Sequence, residues 1–408
     1  MERFAHISDT HFGFEGGPAD TDREGETLLG ADTYRAGQHA LAQILELDPP
    51  LVVHTGDLFD HPNPRIRDLL TIQRWLRELA GLRPDGTRRQ VVLLAGNHDC
   101  ARRAYFGYSL DLYRQLPGVH VVTGRPGRVR FEPGGPGGPD PSLEGWEIWG
   151  VPHDSLPFPE LLDAVRPDPA AAGSLLLCHG MAKPLPLYRR MIGREYAIPS
   201  DLLLRDWDFV CLGHFHRRQQ VTFQESGRHA PIWYAGATAN LTFQDAGFEE
   251  PRTWSMVTRA GDTWQVEPHE LPSRLFHVLG PFDLTGLSPE RLIPAAVTAI
   301  RDRFERLGPD RVTGSLVRVR VRVEDRGLWA AQNQEPLDRF AKEAGCQSLQ
   351  VLVEGGPADP VTEAGPEIRQ GMLGIETLVR NTTKKIVEPE EVDMIVKDAL
   401  QLIGEDQE

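Results

Sequence analysis

The stretch that decides the reading is Val91-Val92-Leu93-Leu94-Ala95-Gly96-Asn97-His98-Asp99. The apolar run 91–95 has the length and residue types of a buried strand. Gly96 turns the chain, and three residues able to ligate a metal or move a proton follow at once. Ligand sites in open α/β sheets lie outside the carboxyl ends of the strands, so a strand that delivers Asn-His-Asp to that end is placing chemistry. Taken alone, Gly-Asn-His-Asp is also a sound turn sequence. The decision therefore rests on what surrounds it.

Upstream, residues 3–8 read as a strand followed directly by Asp9-Thr10-His11. Side chains two apart on extended backbone point the same way, as metal ligands must. The Gly- and acid-rich stretch 12–29 reads as a surface loop. Helical periodicity follows over 33–47, with Asp32 as N-cap and Pro49-Pro50 as stop. Leu51-Val52-Val53-His54 is a second strand, delivering Gly56-Asp57-Leu58-Phe59-Asp60-His61. A helix over about 64–82 has an apolar stripe of Ile66, Leu69, Leu70, Ile72, Trp75, Leu76 and Leu79. This βαβαβ order predicts right-handed crossovers and a parallel core.

Downstream, a helix is expected over 105–116 and a flexible hairpin or loop over 126–141, which holds a Gly/Pro-rich insert at 133–141. Strands follow at 146–151 and at 174–178, the latter delivering His179-Gly180. Another at 209–212 delivers Gly213-His214-Phe215-His216, and further strands are expected at 220–223, 232–235, 254–258 and 264–267. A division into residues 1–271, a small α+β domain over 272–355 and a linker with a helical tail over 356–408 results. Within the second part, helices are expected at 289–307 and 336–344 and strands at 316–323 and 349–354. Alternating Val and Arg over 317–323 make either a half-buried strand with a solvated face or a phosphate-contacting face.

Length and composition agree with a multidomain globular protein: 408 residues, 40% apolar and 25% charged. No apolar run reaches 18 residues, so no membrane span is expected, and the N-terminus reads as a strand rather than a signal, which makes a cytoplasmic location the default. The four cysteines form no Cys-x-x-Cys pair, which excludes a zinc ribbon or disulfide framework. The net charge of −15 argues against a wholly nucleic-acid-binding surface but leaves room for a local basic groove or a metal site. Part of the acidity belongs to the tail, where residues 361–408 carry 11 Asp/Glu against 5 Lys/Arg.

Strand ends thus carry Asp9, His11, Asp57, Asn97, His179, His214 and His216. Any one is an ordinary loop residue; five strand ends in this order are hard to produce by chance. Two divalent ions ~3.5–4 Å apart can clamp the attacking and leaving oxygens of a phosphoryl displacement and acidify a bound water into the nucleophile. Such a pair needs a bridging carboxylate, for which Asp57 is the candidate. Oxygen and nitrogen donors without thiolate favour manganese, iron or zinc over calcium. His98, at the rim, is placed to act as general acid toward the leaving oxygen. Asp99 either orients His98 or holds the turn.

Asp9-x-His11, Gly56-Asp57-x-x-Asp60, Gly96-Asn97-His98-Asp99, His179-Gly180 and Gly213-His214-x-His216 together resemble the signature of calcineurin-like metallophosphoesterases, over residues 3–240. Within that superfamily the chain resembles the SbcD-type DNA repair nucleases. The narrower match rests on the Pro-x-Pro and long helix after Asp60, on Tyr34-Arg35, on Tyr234-Ala235-Gly236-Ala237-Thr238-Ala239-Asn240, and on the appended domain and tail. The resemblance implies an α/β fold (α+β by strict class), a four-layer two-sheet β-sandwich flanked by helices, in place of an open parallel sheet. The strands after residue 146 would form its second, mixed sheet, with a small α+β capping domain and a C-terminal helical tail beyond. It also implies one metal on Asp9, His11, Asp57 and His216, a second on Asp57, Asn97, His179 and His214, and manganese as the working ion. DNA would be the substrate, cut as 3'-5' double-strand exonuclease and single-strand endonuclease. An SbcC-type coiled-coil ATPase would be gripped by the C-terminal helices; a homodimer stays open. Two departures stand out: Asp60 then His61, where many relatives carry His at the end of the motif, and Asn240 in place of an arginine. Asp60, His61, Arg102, Arg103 and Arg217 are candidate substrate contacts, with surface solvation as the alternative for the arginines. A phosphodiesterase or phosphatase for a small substrate such as a cyclic nucleotide is the second reading, against which the extra domain and tail argue.

Overall fold

The computed structural model describes residues 1–16, 27–100, 107–132, 134–183, 196–223, 230–243 and 251–355. The expected tail helices, Arg102, Arg103 and Pro133 lie outside these residues. The strands of the first sheet are β1 (Arg3–Ile7), β2 (Leu51–His54), β3 (Gln90–Leu94) and β4 (Val119–Val122). The second sheet is built from β5 (Gly127–Arg130), β6 (Trp146–Val151), β7 (Gly173–His179), β10 (Phe209–Gly213), β11 (Gln219–Val221) and β12 (Ile232–Tyr234), with a two-residue pair, β8 (Met181–Ala182) and β9 (Ala197–Ile198), beside it in sequence. β13 (Thr253–Ala260) and β14 (Thr263–Glu270) follow.

The sheet orders are β14-β13-β1-β2-β3-β4 and β11-β12-β10-β7-β6-β5. β1 to β4 run parallel, as do β12, β10, β7 and β6. Antiparallel strands close the second sheet at both edges, β11 on β12 and β5 on β6. The expectation that every strand after residue 146 belongs to the second sheet fails for β13 and β14. β13 lies antiparallel on the free edge of β1, Arg3 opposite Thr258 and His6 opposite Ser255. There it buries Trp254 and Met256 toward the helices and Val257 toward the other sheet.

The apolar runs are continuous because both faces of these strands are covered. Phe4, Leu51, Val53, Val92 and Leu94 meet Ile148, Leu175, Leu177, Phe209 and Cys211 between the sheets. The alternate residues Ile7, Val52, Val91 and Leu93 pack outward on α1 (Leu28–Leu47) and α2 (Ile66–Leu79), through Leu41, Ile44, Trp75 and Leu79. On the far side Leu176, Val210 and Leu212 pack on Leu162, Leu202 and Leu203 from short helices. The sandwich is therefore α/β/β/α.

Local boundaries differ where side chains compete for one role. α1 begins at Leu28, because the Thr27 hydroxyl accepts the Gly30 N–H at 3.0 Å. Asp32, expected as the cap, is buried in the helix and ion-pairs with Arg274 at 2.7 Å and Arg35 at 2.9 Å. In α2, Ile66 and Leu70 of the expected stripe are 77% and 49% exposed, while buried Asp68 joins the core face. The expected helix at 105–116 is seen as a 3-10 turn over Ser109–Gln115. The expected loop at 126–141 contributes β5 and docks on the turn before β3, Arg88 N–H donating to Gly138 O at 2.7 Å.

Two compact units are distinguished, one of Met1–Val278, Phe304–Arg318 and Ala341–Gln350 and one of Leu279–Arg303, Val319–Phe340 and residues from Val351 onward. β15 (Phe276–Asp283), β16 (Leu316–Arg322) and β17 (Ser348–Glu354) form a three-stranded sheet, accompanied by helices Pro289–Leu307 and Glu335–Glu343. In β16 the valines are buried, Arg318 lies 4.0 Å over the Phe243 ring and Arg320 pairs with Glu354 at 2.6 Å.

His6 on β1 and His54 on β2 are fully buried and bind the hydroxyls of Thr55 and Thr10 at 3.1 Å. Burial pushes both down to about 3. A histidine held neutral in the fold but titrating near 6.5 when unfolded gives its full stabilisation above that pH and loses it as the pH falls, about 1.4 kcal/mol for each group by one unit below. Urea unfolding of metal-free protein is expected to weaken between pH 7.5 and 5.5, and His6→Gln to shrink that loss by about 1.4 kcal/mol. An unchanged slope in the variant would contradict the assignment.

Candidate metal centre

The parallel strands β1, β2 and β3 of one sheet and β7 and β10 of the other deliver their carboxyl ends to one edge. The loops after β1 and β2 are laced together: Asp9 N–H donates to Gly56 O at 3.0 Å, His11 N–H to Asp57 O at 3.0 Å and Phe12 N–H to Leu58 O at 2.9 Å. The third and fifth loops are tied in through the acids themselves. His98 N–H donates to Asp57 Oδ1 at 2.9 Å, and His214 N–H to the Asp9 carboxylate at 3.0 Å. This closeness explains the motif glycines. A Cβ at Gly96 would collide with the Asp57 carboxylate, and one at Gly213 with the Thr55 carbonyl and Ser8 hydroxyl.

The backbone is strained at the same place. Among the described residues five non-glycine residues have positive φ, and four of them are Asp9 (50°), His11 (46°), Asp57 (53°) and His214 (95°). Each costs about 1–3 kcal/mol and persists only where the surroundings over-determine it.

The imidazoles are oriented by what lies behind them. His179 Nδ1–H donates to Thr55 O at 2.7 Å, leaving Nε2 at 2.9 Å from Asn97 Oδ1 and 3.3 Å from Asp57 Oδ2. His11 Nδ1 sits 3.1 Å from Asp60 Oδ1, so its Nε2 faces His216 Nε2 at 3.2 Å and Asp57 Oδ2 at 3.7 Å. His214 Nδ1 is 3.0 Å from Asn97 Oδ1. Turning one ring nitrogen onto an acceptor so that the other presents a lone pair is how ligating histidines are held. Three groups have donor atoms close enough for one ion: Asp9–His11–His216, Asp57–His179–His214 and His11–Asp60–His98. The donor set thus fits cations: two imidazole nitrogens 3.2 Å apart, beside a buried carboxylate. In the metal-free protein, burial works against charge on Asp57, yet His179 and His11 hold it well below the carboxylate range. Burial likewise opposes charge on His179, but Asp57 lifts it to about 9.

All seven expected ligands meet here. His98 stands at the rim with its side chain 41% exposed, its ring edge-on to His11 at 4.8 Å and its Nδ1 2.7 Å from Asp60 O. Asp60, expected to touch substrate, is buried instead; its carboxylate serves His11 and its carbonyl His98. Asp99 accepts from the N–H groups of Gly96 (3.0 Å), Phe59 (3.1 Å) and Leu58 (3.2 Å), so it holds the turn rather than the His98 ring. Burial, then Asp57, push its carboxyl up to about 7. His61 and Arg217 are exposed beside the centre. One histidine was missed: His153, buried, with its ring 5.8 Å from that of His214 and 6.0 Å from that of His179. Burial pushes it down to about 4. Its signal was the apolar strand β6 ending in Val151-Pro152-His153.

A model of the calcineurin-like phosphoesterase family matches residues 2–246. The chain is 26% identical to the DNA double-strand break repair protein Mre11 of Methanosarcina mazei over 276 residues, covering 67% of this chain and 39% of that protein. It is 32% identical to Mre11 of Methanocaldococcus jannaschii over 247 residues, 58% of this chain and 56% of the relative. With the SbcD component of the SbcCD nuclease of Rhodobacter capsulatus the identity is 29% over 356 residues, 75% and 78% of the two chains. The chain thus spans 39% of the length of the Methanosarcina relatives it matches. The matched region runs through all five strand ends that build the centre, and the chain belongs to the calcineurin-like phosphoesterase family.

Proposed function

We propose that the chain is a two-metal, manganese-dependent DNA nuclease that hydrolyses phosphodiester bonds in double-strand-break processing. The observation that carries this is the donor set around Asp57: one cluster of Asp9, His11 and His216, one of His179 and His214, and the buried carboxylate between them. In this reading Asp9, His11, Asp57 and His216 hold one ion, and Asp57, Asn97, His179 and His214 the other. When bound, the two ions supply Lewis-acid charge at the phosphate and an acidified water. Oxygen and nitrogen donors without thiolate support manganese, iron or zinc over calcium.

The chain's own residues do the rest. His98 Nδ1 is engaged by the Asp60 carbonyl, which leaves Nε2 for the leaving oxygen as proton donor. Asp60 and Asp99 are positioning residues, the first for His11 and His98, the second for the loops that carry Asp57 and Asn97. His61, Arg217 and the arginines 102 and 103 are placed as phosphate contacts. The names of the relatives, Mre11 and the SbcCD nuclease, support DNA as substrate, with exonuclease and endonuclease modes. They also support an SbcC-type coiled-coil ATPase as partner, bound by residues 356–408. A homodimer is supported by Ile66 and Leu70 of α2 and Leu112, all exposed. No helix among the described residues is long and apolar enough to cross a membrane, and a cytoplasmic location fits the proposed role.

Linear double-stranded DNA and bis-p-nitrophenyl phosphate, each with manganese, separate this from the small-substrate reading. DNA cleavage is expected; hydrolysis of the ester alone, even with an ATPase partner added, would overturn it. His98→Ala is expected to lower turnover about 10²–10⁴-fold while two equivalents of manganese remain bound. Loss of an equivalent by elemental analysis would make His98 a ligand, in the cluster it forms with His11 and Asp60.

A further inference from the structure

Arg252, just before β13, is 4% exposed. Its Nη1 donates to the carbonyl of His216, and its Nε to Oδ1 of Asn240 at 2.5 Å. The His216 carbonyl also accepts the Ala237 N–H, at 3.1 Å. Two donors therefore fix the peptide that carries the His216 ring, whose Nε2 faces His11 across 3.2 Å.

The contact does not end at Asn240. Its Nδ2–H donates to Arg274 O at 2.8 Å, and its own N–H to Ser273 Oγ at 2.9 Å. The Arg274 guanidinium closes on Asp32 of α1 at 2.7 and 3.2 Å and on Gly314 O at 2.5 Å. One hydrogen-bonded chain thus runs from a candidate ligand to the segment that leaves the sandwich after β14. A guanidinium suits this place: it is always charged, and its planar fork serves two acceptors at once, where an ammonium on a flexible stem does not.

We infer that Arg252 is a positioning residue for His216, and that it couples the affinity of the ion held by His216 to the Asn240–Arg274–Asp32 chain. The inference rests on the two-metal reading above. Residues behind a ligand typically govern metal affinity by about 10–100-fold.

The test is manganese titration calorimetry of the full chain, with thermal melts of the metal-free proteins alongside. Wild type is expected to take two equivalents. Arg252→Met is expected to weaken one site about 10–100-fold and leave the other unchanged, with Arg252→Lys between the two. Asn240→Ala is expected to weaken the same site by less, and the Arg252→Met/Asn240→Ala double variant to be no weaker than Arg252→Met alone, because the two act in one chain. Folded Arg252→Met with both sites at wild-type affinity overturns the inference alone. So does an equal weakening of both sites that follows a lowered melting temperature, the mark of a merely structural role. If Arg252→Met does not fold, Arg252→Lys and Asn240→Ala decide by the same criteria. Wild type that takes fewer than two ions overturns the two-metal reading and this inference with it.

Discussion

The rest of the centre depends on one buried carboxylate. Asp57 is held with no room to move: its backbone is in the left-handed region, its Oδ1 takes the His98 N–H, and Gly96 leaves no Cβ against it. Its Oδ2 lies between His11 and His179, which come from opposite sheets. A buried, unpaired carboxylate is expensive, so in the metal-free protein its charge must be answered by protons on the imidazoles around it. That is the meaning of His179 being lifted to about 9. Divalent ions would take over that task and release those protons, which ties metal affinity to pH through chemistry rather than through any single titrating residue.

The same constraint sorts the surrounding side chains. Those that face the donor atoms come from strand ends and are buried, while His98 projects at the rim. Behind them stands a layer of acceptors, Thr55 O, Asp60 and Asp99, each spent on orientation. Arg252 belongs to this layer as a donor to a ligand's own peptide. The strain at four loop positions is stored within this network of contacts and is repaid by it.

The strand ends were legible in the sequence because each is a local signal, an apolar run followed by polar residues able to bind metal. Helices Pro289–Leu307 and Glu335–Glu343 were legible for the same reason, from apolar periodicity within one segment. The rest turned on non-local geometry. Nothing in residues 253–270 says which sheet edge lies open, and β13 goes to β1 rather than onward in the second sheet. Asp60 and Asp99 have the residue type of a ligand or a substrate contact; only the distances show that one serves two histidines and the other three backbone N–H groups. His153 had the same signature as His179, but the intervening Pro152 made its strand end look like a turn. Arg252 carried no signal at all, since its partners lie 12 and 36 residues away.

The central claim is that Asp57 joins two ions into one centre. Anomalous diffraction from crystals soaked in manganese tests it most directly. Two peaks about 3.5–4 Å apart, both within bonding reach of the Asp57 carboxylate, are the predicted result. A single peak, or a second one on His11, Asp60 and His98 out of reach of Asp57, would contradict it.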